Sequence, residues 1–369
     1  MRILFTTVPV FGHLLPMVPL AIAARDAGHD VLVASGVDIE LECKRLGLPF
    51  AQVGPSVAES TAVHRPDVRP DATPAERVAA DVAHLFVPAA RLRAEDLLPL
   101  AMHWRPDLVV HEPSEMAGAI AAACTGARHA VHGLGLWSPG FWSLFEPGFA
   151  DLAQRWRVRP ESFLDAVYLD PFPQALQPGG PVDFTRVLAL RPDAPPDDVT
   201  VLDLPGDAVY LTLGTIFNGA HDVFRTVLSG LTTLPHNVIV TAGPGADPAL
   251  LGDWPSRVRI TDFVPQERLL PHCRLVISHG GAGSVVGALR HGLPQLVVPR
   301  GADNTFNAAA VRGAGAGLSL DQDELTPEAV ADTVTRLLTQ PSFAAAARRV
   351  AAEIAEMPTP ADVLTRLLH

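Results

Sequence analysis

The 369-residue chain is longer than one comfortable hydrophobic core and fits two domains of ordinary size. It is 48% apolar but only 6% aromatic, so cores built from Ala, Val and Leu are expected. Its 28 basic and 40 acidic residues leave a formal charge of −12, which argues against nucleic acid or an anionic membrane as the main partner. Cys43, Cys124 and Cys273 are too widely separated for a disulfide framework, which favours a reducing compartment. Pro9, Gly12 and His13 interrupt the N-terminal apolar run before a signal-like core can form. No uninterrupted stretch approaches the roughly 20 apolar residues of a membrane span. A cytoplasmic protein without stable membrane insertion is expected.

In chain order, residues 3–8 read as a compact apolar strand. Residues 14–27 repeat at helical spacing, with Leu14, Met17, Val18 and Ala21 on one side, and Gly28-His29 ends that helix. Residues 31–34, 108–111 and 129–132 are further strands, the last two separated by an Ala-rich helix near 115–124. This alternation predicts a parallel sheet covered on both faces. Three prolines make residues 63–74 read as a loop. Phe141, Trp142, Phe145, Phe149 and Trp156 follow at mixed spacing, open to two readings: ordinary packing, or an apolar ligand wall near residues 137–149. The Pro- and Asp-rich stretch 171–205 is the expected interdomain connection. Strands then restart at 208–213, 238–241, 258–260, 275–277 and 296–298, a second doubly wound unit. A ligand is expected at the carboxyl ends of these strands.

Five short motifs carry the chemistry. Gly12-His13 sits between the first strand and its helix, where a neutral imidazole could take a proton, and Glu112 ends another strand of the same domain. Ser278-His279-Gly280-Gly281-Ala282-Gly283-Ser284 has the order strand, glycine turn, helix start, which suits a phosphate or diphosphate; Leu213-Gly214-Thr215 is a second such corner. Phe263-Val264-Pro265-Gln266 could meet a base or ribose, and Asp303-Asn304 could hold ligand hydroxyls or simply cap a helix. The common nucleotide signatures are missing: residues 8–13 lack the three-glycine spacing, and no Gly-Lys-Ser/Thr adjoins residues 280–284. His129 and His132 fall on opposite faces of a strand, Cys273 and His279 do not complete a ligand set, and Asp321-Gln322-Asp323 reads as capping and solvation. No obligatory metal is expected.

In this order the motifs resemble the nucleotide-sugar-dependent glycosyltransferases with two Rossmann-like domains, particularly bacterial enzymes that decorate natural products. The resemblance covers nearly the whole chain. It implies an α/β fold of GT-B architecture, two Rossmann-like domains facing across a deep cleft. Residues 1–200 would bind the acceptor and residues 201–369 the nucleotide sugar, with the final helix able to pack back on the N-terminal domain. It implies His13 as general base and Glu112 as the acid orienting it. Gly214, Thr215, His279, Gly280, Gly281, Gly283 and Ser284 would surround the diphosphate, Val264 and Gln266 the nucleoside, and Asp303 and Asn304 the donor sugar. Trp137, Phe141, Trp142 and Phe145 are the expected acceptor wall. The chain departs from its relatives at Asn304, where many carry glutamine, and at Glu112, where aspartate is more frequent.

The implied reaction is direct displacement with inversion. The nucleotide sugar is a co-substrate rather than a cofactor, a TDP-linked deoxyhexose in preference to a UDP-sugar. The acceptor is a hydrophobic, polyketide-like aglycone, and a homodimer is compatible with the chain. Two alternatives stand beside this reading: a nucleotide-sugar epimerase on the same plan, and a non-catalytic nucleotide-sugar-binding helper. An epimerase would need more charge around the sugar and no apolar wall, and an intact His13 and phosphate corner argue against a helper.

Overall fold

Short apolar runs make the strands, and several are buried at every position. Leu108–His111, Ala208–Thr212 and Val238–Thr241 have no solvent-facing side, the condition of parallel strands with helices on both faces. The computed structural model describes all residues except 64–68, 70–71, 138–139, 178–179, 181–182, 197–205, 215–218, 244–246, 262 and 302. The chain divides into two compact units. One comprises Met1–Phe172, Gly179–Pro196 and Met357–His369, the other Pro173–Pro178 and Asp197–Glu356.

Among the described residues, the first unit holds a seven-stranded parallel sheet. Its strands are β1 (Arg2–Thr6), β2 (Asp30–Ser35), β3 (Phe50–Gln52), β4 (Leu108–His111), β5 (Arg128–His132), β6 (Val167–Asp170) and β7 (Arg186–Ala189). They lie in the order β3-β2-β1-β4-β5-β6-β7. Their connections carry α1 (Phe11–Asp26), α2 (Glu40–Arg45), α3 (Val57–Val63), α4 (Pro74–Asp81), α5 (Val87–Trp104), α6 (Met116–Thr125) and α7 (Phe141–Trp156). A π-helical turn, Val82–Phe86, joins α4 to α5.

The second unit holds a six-stranded parallel sheet in the order β10-β9-β8-β11-β12-β13. These strands are β8 (Ala208–Thr212), β9 (Val238–Thr241), β10 (Val258–Thr261), β11 (Cys273–Ser278), β12 (Gln295–Val297) and β13 (Gly317–Ser319). Its helices are α8 (His221–Leu231), α9 (Gln266–Leu269), α10 (Ala282–Arg290), α11 (Asn304–Gly313), α12 (Pro327–Thr339) and α13 (Pro341–Glu356). In each sheet the strand order reverses once, between β1 and β4 and between β8 and β11. Such switch points are where doubly wound sheets bind ligands.

Three differences from the sequence reading have physical causes. The stretch 171–205, expected as a connection, contains β7, an edge strand with mostly exposed residues. Its pairing with β6 forms the strand, and no buried face marks it in the sequence. The stretch 63–74, expected as a loop, borders helix at both ends. Thr73 caps α4 in a reciprocal pair with Glu76, while 64–68 and 70–71 lie outside the described residues. Strands β3 and β13 span three residues each, too few to show a period.

The last helix, α14 (Pro360–Leu368), lies with the first unit. Val363, Leu364 and Leu367 share one buried cluster with Leu14, Met17 and Val18 of α1. Arg128 reinforces the seat by donating from Nη1 to the Leu367 carbonyl at 2.9 Å. No helix among the described residues is long and apolar enough to cross a membrane. Leu364→Ala is expected to destabilise the first unit by about 2–5 kcal/mol. Denaturant unfolding measures the loss, and amide hydrogen exchange should show it in α1 and β1 while the second unit keeps its protection.

Candidate active site

The motif residues of each unit gather at its switch point. In the first unit β1 ends at Thr6 and a short loop leads to α1, whose third residue is His13. β4 ends at His111, so Glu112 is the first residue beyond it. The register pairs Thr6 with His111, which sets the two loop starts side by side.

His13 Nδ1 lies 3.0 Å from Glu112 Oε1. The Glu112 side chain is fully buried and the imidazole 21% exposed. Val8 N–H also donates to Oε1, at 3.1 Å, and Ser114 N–H donates to Oε2 at 2.6 Å. Burial pushes the Glu112 carboxyl up, but the His13 charge and hydrogen bond, with the Val8 and Ser114 donors, outweigh it and hold the group below the usual carboxylate range. Glu112 is therefore ionised at neutral pH. An ionised carboxylate can only accept, so Nδ1 of His13 carries the hydrogen, and in the neutral form of the ring it is Nε2 that presents the lone pair.

Three further histidines lie close by. His111 Nδ1 contacts the Glu112 carbonyl at 2.9 Å, and its Nε2 meets His129 Nε2 at 2.6 Å with the rings stacked. His132, on the other face of β5, contacts the Gly133 carbonyl through Nδ1 at 2.7 Å. Burial pushes His111 and His132 down to about 4 and His129 well below its usual value. All three are neutral at pH 7, so they leave the His13–Glu112 pair as the local charge balance. Among the described residues no group of three or more His, Cys, Asp or Glu is placed to hold a metal ion.

In the second unit His279 follows β11 and is 8% exposed. Its ring is seated between two glycines. A Cβ on Gly214, whose φ is +71°, would stand 2.6 Å from His279 Cε1, and one on Gly281 would stand 2.5 Å from Nε2. Neither position tolerates a side chain without moving the imidazole. Burial pushes His279 down to about 4, so the ring is a neutral dipole at pH 7. Gly281 precedes α10 and offers no side-chain cap. The N–H of Val285 bonds the Gly281 carbonyl at 3.0 Å, which makes Ala282, Gly283 and Ser284 the residues of the first turn. Their N–H groups have no carbonyl one turn back within the helix, and the helix dipole adds positive potential there. Such a helix start is suited to an anion.

The flanking motifs are more committed to the protein than their sequence suggests. Gln266 opens α9 and donates from Nε2 to the Gly283 carbonyl at 2.9 Å, bracing the start of α10. Val264 packs against the buried cluster that includes Tyr210 and Leu269. Asn304 is 2% exposed, and its Oδ1 accepts from the Arg300 and Gly301 N–H groups at 3.3 and 3.2 Å. Its amide holds a loop. Asp303 does not cap α11; it accepts at 2.8 Å from Asn307 Nδ2, which also donates to the Gly280 carbonyl at 2.8 Å. Asn307 thus ties the acidic residue to the glycine turn, and the i, i+4 spacing of Asp303 and Asn307 on one helix was the available signal. Thr215 lies outside the described residues.

Of the expected acceptor wall, Trp137, Trp142 and Phe145 are buried and Phe141 is partly exposed. Trp142 stacks on Phe163 with centroids 4.2 Å apart, and Trp137 donates from Nε1 to Asp183 at 2.5 Å. These rings form the core beneath α7. Among the described residues, an aromatic that the sequence did not single out meets the imidazole: Phe86, stacked on His13 with centroids 6.2 Å apart and tilted against Phe145 at 6.5 Å. It closes the π-helical turn, a local feature frequent at functional sites and carrying no sequence period of its own.

Comparison with known proteins places the chain in a family. Residues 22–162 match the N-terminal domain, and residues 225–369 the C-terminal domain, of the family described as erythromycin biosynthesis protein CIII-like. The chain is 32% identical over 396 residues to elloramycin glycosyltransferase ElmGT of Streptomyces olivaceus, covering 100% of this chain and 97% of that protein. It is 31% identical over 415 residues to 10-deoxymethynolide desosaminyltransferase of Streptomyces venezuelae, covering 100% and 96%. Among solved structures it is similar to glycosyltransferase VinC in complex with dTDP, at 29% identity and a TM-score of 0.83 over 100% of this chain and 98% of that one. The chain therefore belongs to the erythromycin biosynthesis protein CIII-like family and is a bacterial natural-product glycosyltransferase, nucleotide-sugar-dependent, with two Rossmann-like domains of the GT-B type.

Proposed function

We propose that the protein is an inverting glycosyltransferase that moves a deoxyhexose from a TDP-sugar to a hydroxyl of a hydrophobic aglycone. The observation that carries this reading is the 3.0 Å contact between His13 Nδ1 and Glu112 Oε1. It leaves Nε2 free of the hydrogen and able to take one from an acceptor hydroxyl. As the imidazole becomes charged, the buried Glu112 carboxylate stabilises it, the same third-group logic as in hydrolase triads. The oxygen so activated attacks the anomeric carbon opposite the diphosphate, and an α-linked donor gives a β-linked product.

The leaving diphosphate gains charge as the bond breaks. The open N–H groups of α10 and the neutral His279 dipole are the groups proposed to meet it, with Gly214, Gly280 and Gly281 letting its oxygens approach the backbone. Val264 and Gln266 are assigned to the nucleoside and Asp303 to the donor sugar. Asn304 acts by shaping the 300–304 loop, given its bonds to that backbone. The relatives' names support a deoxysugar donor and a hydrophobic acceptor: one acts as a desosaminyltransferase on 10-deoxymethynolide. The dTDP complex of VinC supports TDP over UDP. Every relative named above is a transferase, so neither the epimerase nor the helper reading is favoured.

A donor-by-acceptor screen tests the reaction. Release of TDP should require an added aglycone, and the conjugate should carry a β-linkage by magnetic resonance when the donor is α-linked; retained configuration would overturn direct displacement. His13→Ala should lower acceptor-dependent turnover by roughly 10²–10⁴-fold. Glu112→Gln should produce a smaller loss, because the amide still reaches Nδ1 but supplies no charge to the imidazolium. Gly214→Ala should weaken TDP binding by about tenfold or more, since the added methyl meets the His279 ring at 2.6 Å in a left-handed backbone position. Calorimetric titration with TDP reads that loss directly, and unaltered affinity would remove His279 from the diphosphate site.

A further inference from the structure

Below the His13–Glu112 pair lies an ion pair that the proposed chemistry does not use. Glu115 closes the short turn that begins at Glu112. Its N–H donates to the Glu112 carbonyl at 3.0 Å, while Ser114 N–H, inside the same turn, donates to Glu112 Oε2 at 2.6 Å. Glu115 Oε1 accepts from Ala117 N–H at 3.1 Å and so caps α6. Its Oε2 pairs with Nη1 of Arg93, which projects from α5. Both side chains are buried, at 1% and 0% exposure, and Nε and Nη2 of Arg93 have no hydrogen-bond partner among the described residues.

A buried pair with two idle donors is a poor source of stability compared with apolar side chains of the same volume. It is a good source of geometry, because a charge-assisted bond fixes direction as well as distance. α5 also continues from the π turn that carries Phe86, which stacks on His13. Phe86 and Arg93 are seven residues apart, two helical turns, and so share a face. One continuous stretch of helix therefore touches both members of the pair: the imidazole through Phe86, and the turn bearing the carboxylate through Arg93 and Glu115.

We propose that Arg93, acting through Glu115, is a positioning residue for the His13–Glu112 pair, holding the 112–115 turn so that Glu112 orients the general base. This rests on His13 serving as that base. The ionisable groups electrostatically coupled to Glu112 are His13, Glu115, His111 and His132. Both neighbouring imidazoles are neutral, so a variant at Arg93 changes the charge pattern through Glu115. Burial pushes Glu115 up to about 7 against the pull of Arg93. Without the guanidinium the carboxyl takes a proton, which avoids a stranded charge.

The test is a double-mutant cycle between Arg93→Met and His13→Ala, read as single-turnover product formation with saturating TDP-sugar and aglycone. Arg93→Met should slow the step about 10- to 100-fold in the otherwise native protein, the scale of a small misplacement of a catalytic group. TDP affinity, set in the other unit, should stay within about twofold. In the His13→Ala background the same substitution should change the rate less than about twofold, because a positioned base is no longer there to lose. Equal losses in both backgrounds, or no loss in either, would overturn the positioning role. Undiminished turnover of His13→Ala alone would instead overturn the assignment of the base. Should Arg93→Met fail to fold, Glu115→Gln replaces it in the cycle, keeping the acceptor that caps α6 while removing the charge, with the same pattern expected.

Discussion

A single buried carboxylate organises the first half of this molecule. Glu112 has no access to water, and burial by itself pushes its carboxyl up. It stays ionised because three donors from three places converge on it: the His13 ring, the Val8 N–H and the Ser114 N–H. Each comes from a segment the parallel sheet has already aligned, the loop after β1, the start of α1 and the turn after β4. Fixing the charge fixes the tautomer of His13, and with it the nitrogen that faces outward. The surrounding imidazoles sharpen the effect by being neutral.

The second half reaches its function by subtraction. Gly214 and Gly281 have no side chains where the His279 ring lies, and Gly281 has no side chain to cap α10. What remains is a ring held in place by backbone, beside N–H groups with nothing to donate to inside the helix. Asn307 and Gln266 spend their amides bracing the carbonyls of Gly280 and Gly283, and Ser278 Oγ holds the Gly280 N–H. In the proposed reaction the two halves would act in complementary ways, a carboxylate stabilising a developing cation in one and backbone dipoles meeting an anion in the other.

Parallel sheet topology is the common device. Both sheets reverse strand order once, and the motifs follow the strands at that reversal: His13 after β1 and Glu112 after β4, Gly214 after β8 and His279 after β11. Adjacent loops at a switch point diverge to opposite faces and leave a crevice between them. Residues 13 and 112, 99 positions apart in the chain, meet there through a 3.0 Å side-chain contact because the sheet sets their two loops side by side. The buried Arg93–Glu115 pair then acts on a loop whose place the sheet has already set.

The sequence by itself determined the alternation of strand and helix, the two Rossmann-like units, and the histidine- and glycine-bearing corners that follow the strands. Those follow from local periodicity, from glycines that open a helix start, and from the residue types that can move a proton. Tertiary structure decided the rest. Whether Trp137 and Trp142 form a ligand wall or a core depends on what α7 packs against. Whether Asn304 faces a ligand depends on which backbone donors come within its reach. The strand character of β7 depends on β6 lying beside it, and the tautomer of His13 depends on a carboxylate 99 positions away. Burial and hydrogen-bond pairing are properties of neighbours in space, and a linear pattern carries no record of which neighbours the fold supplies.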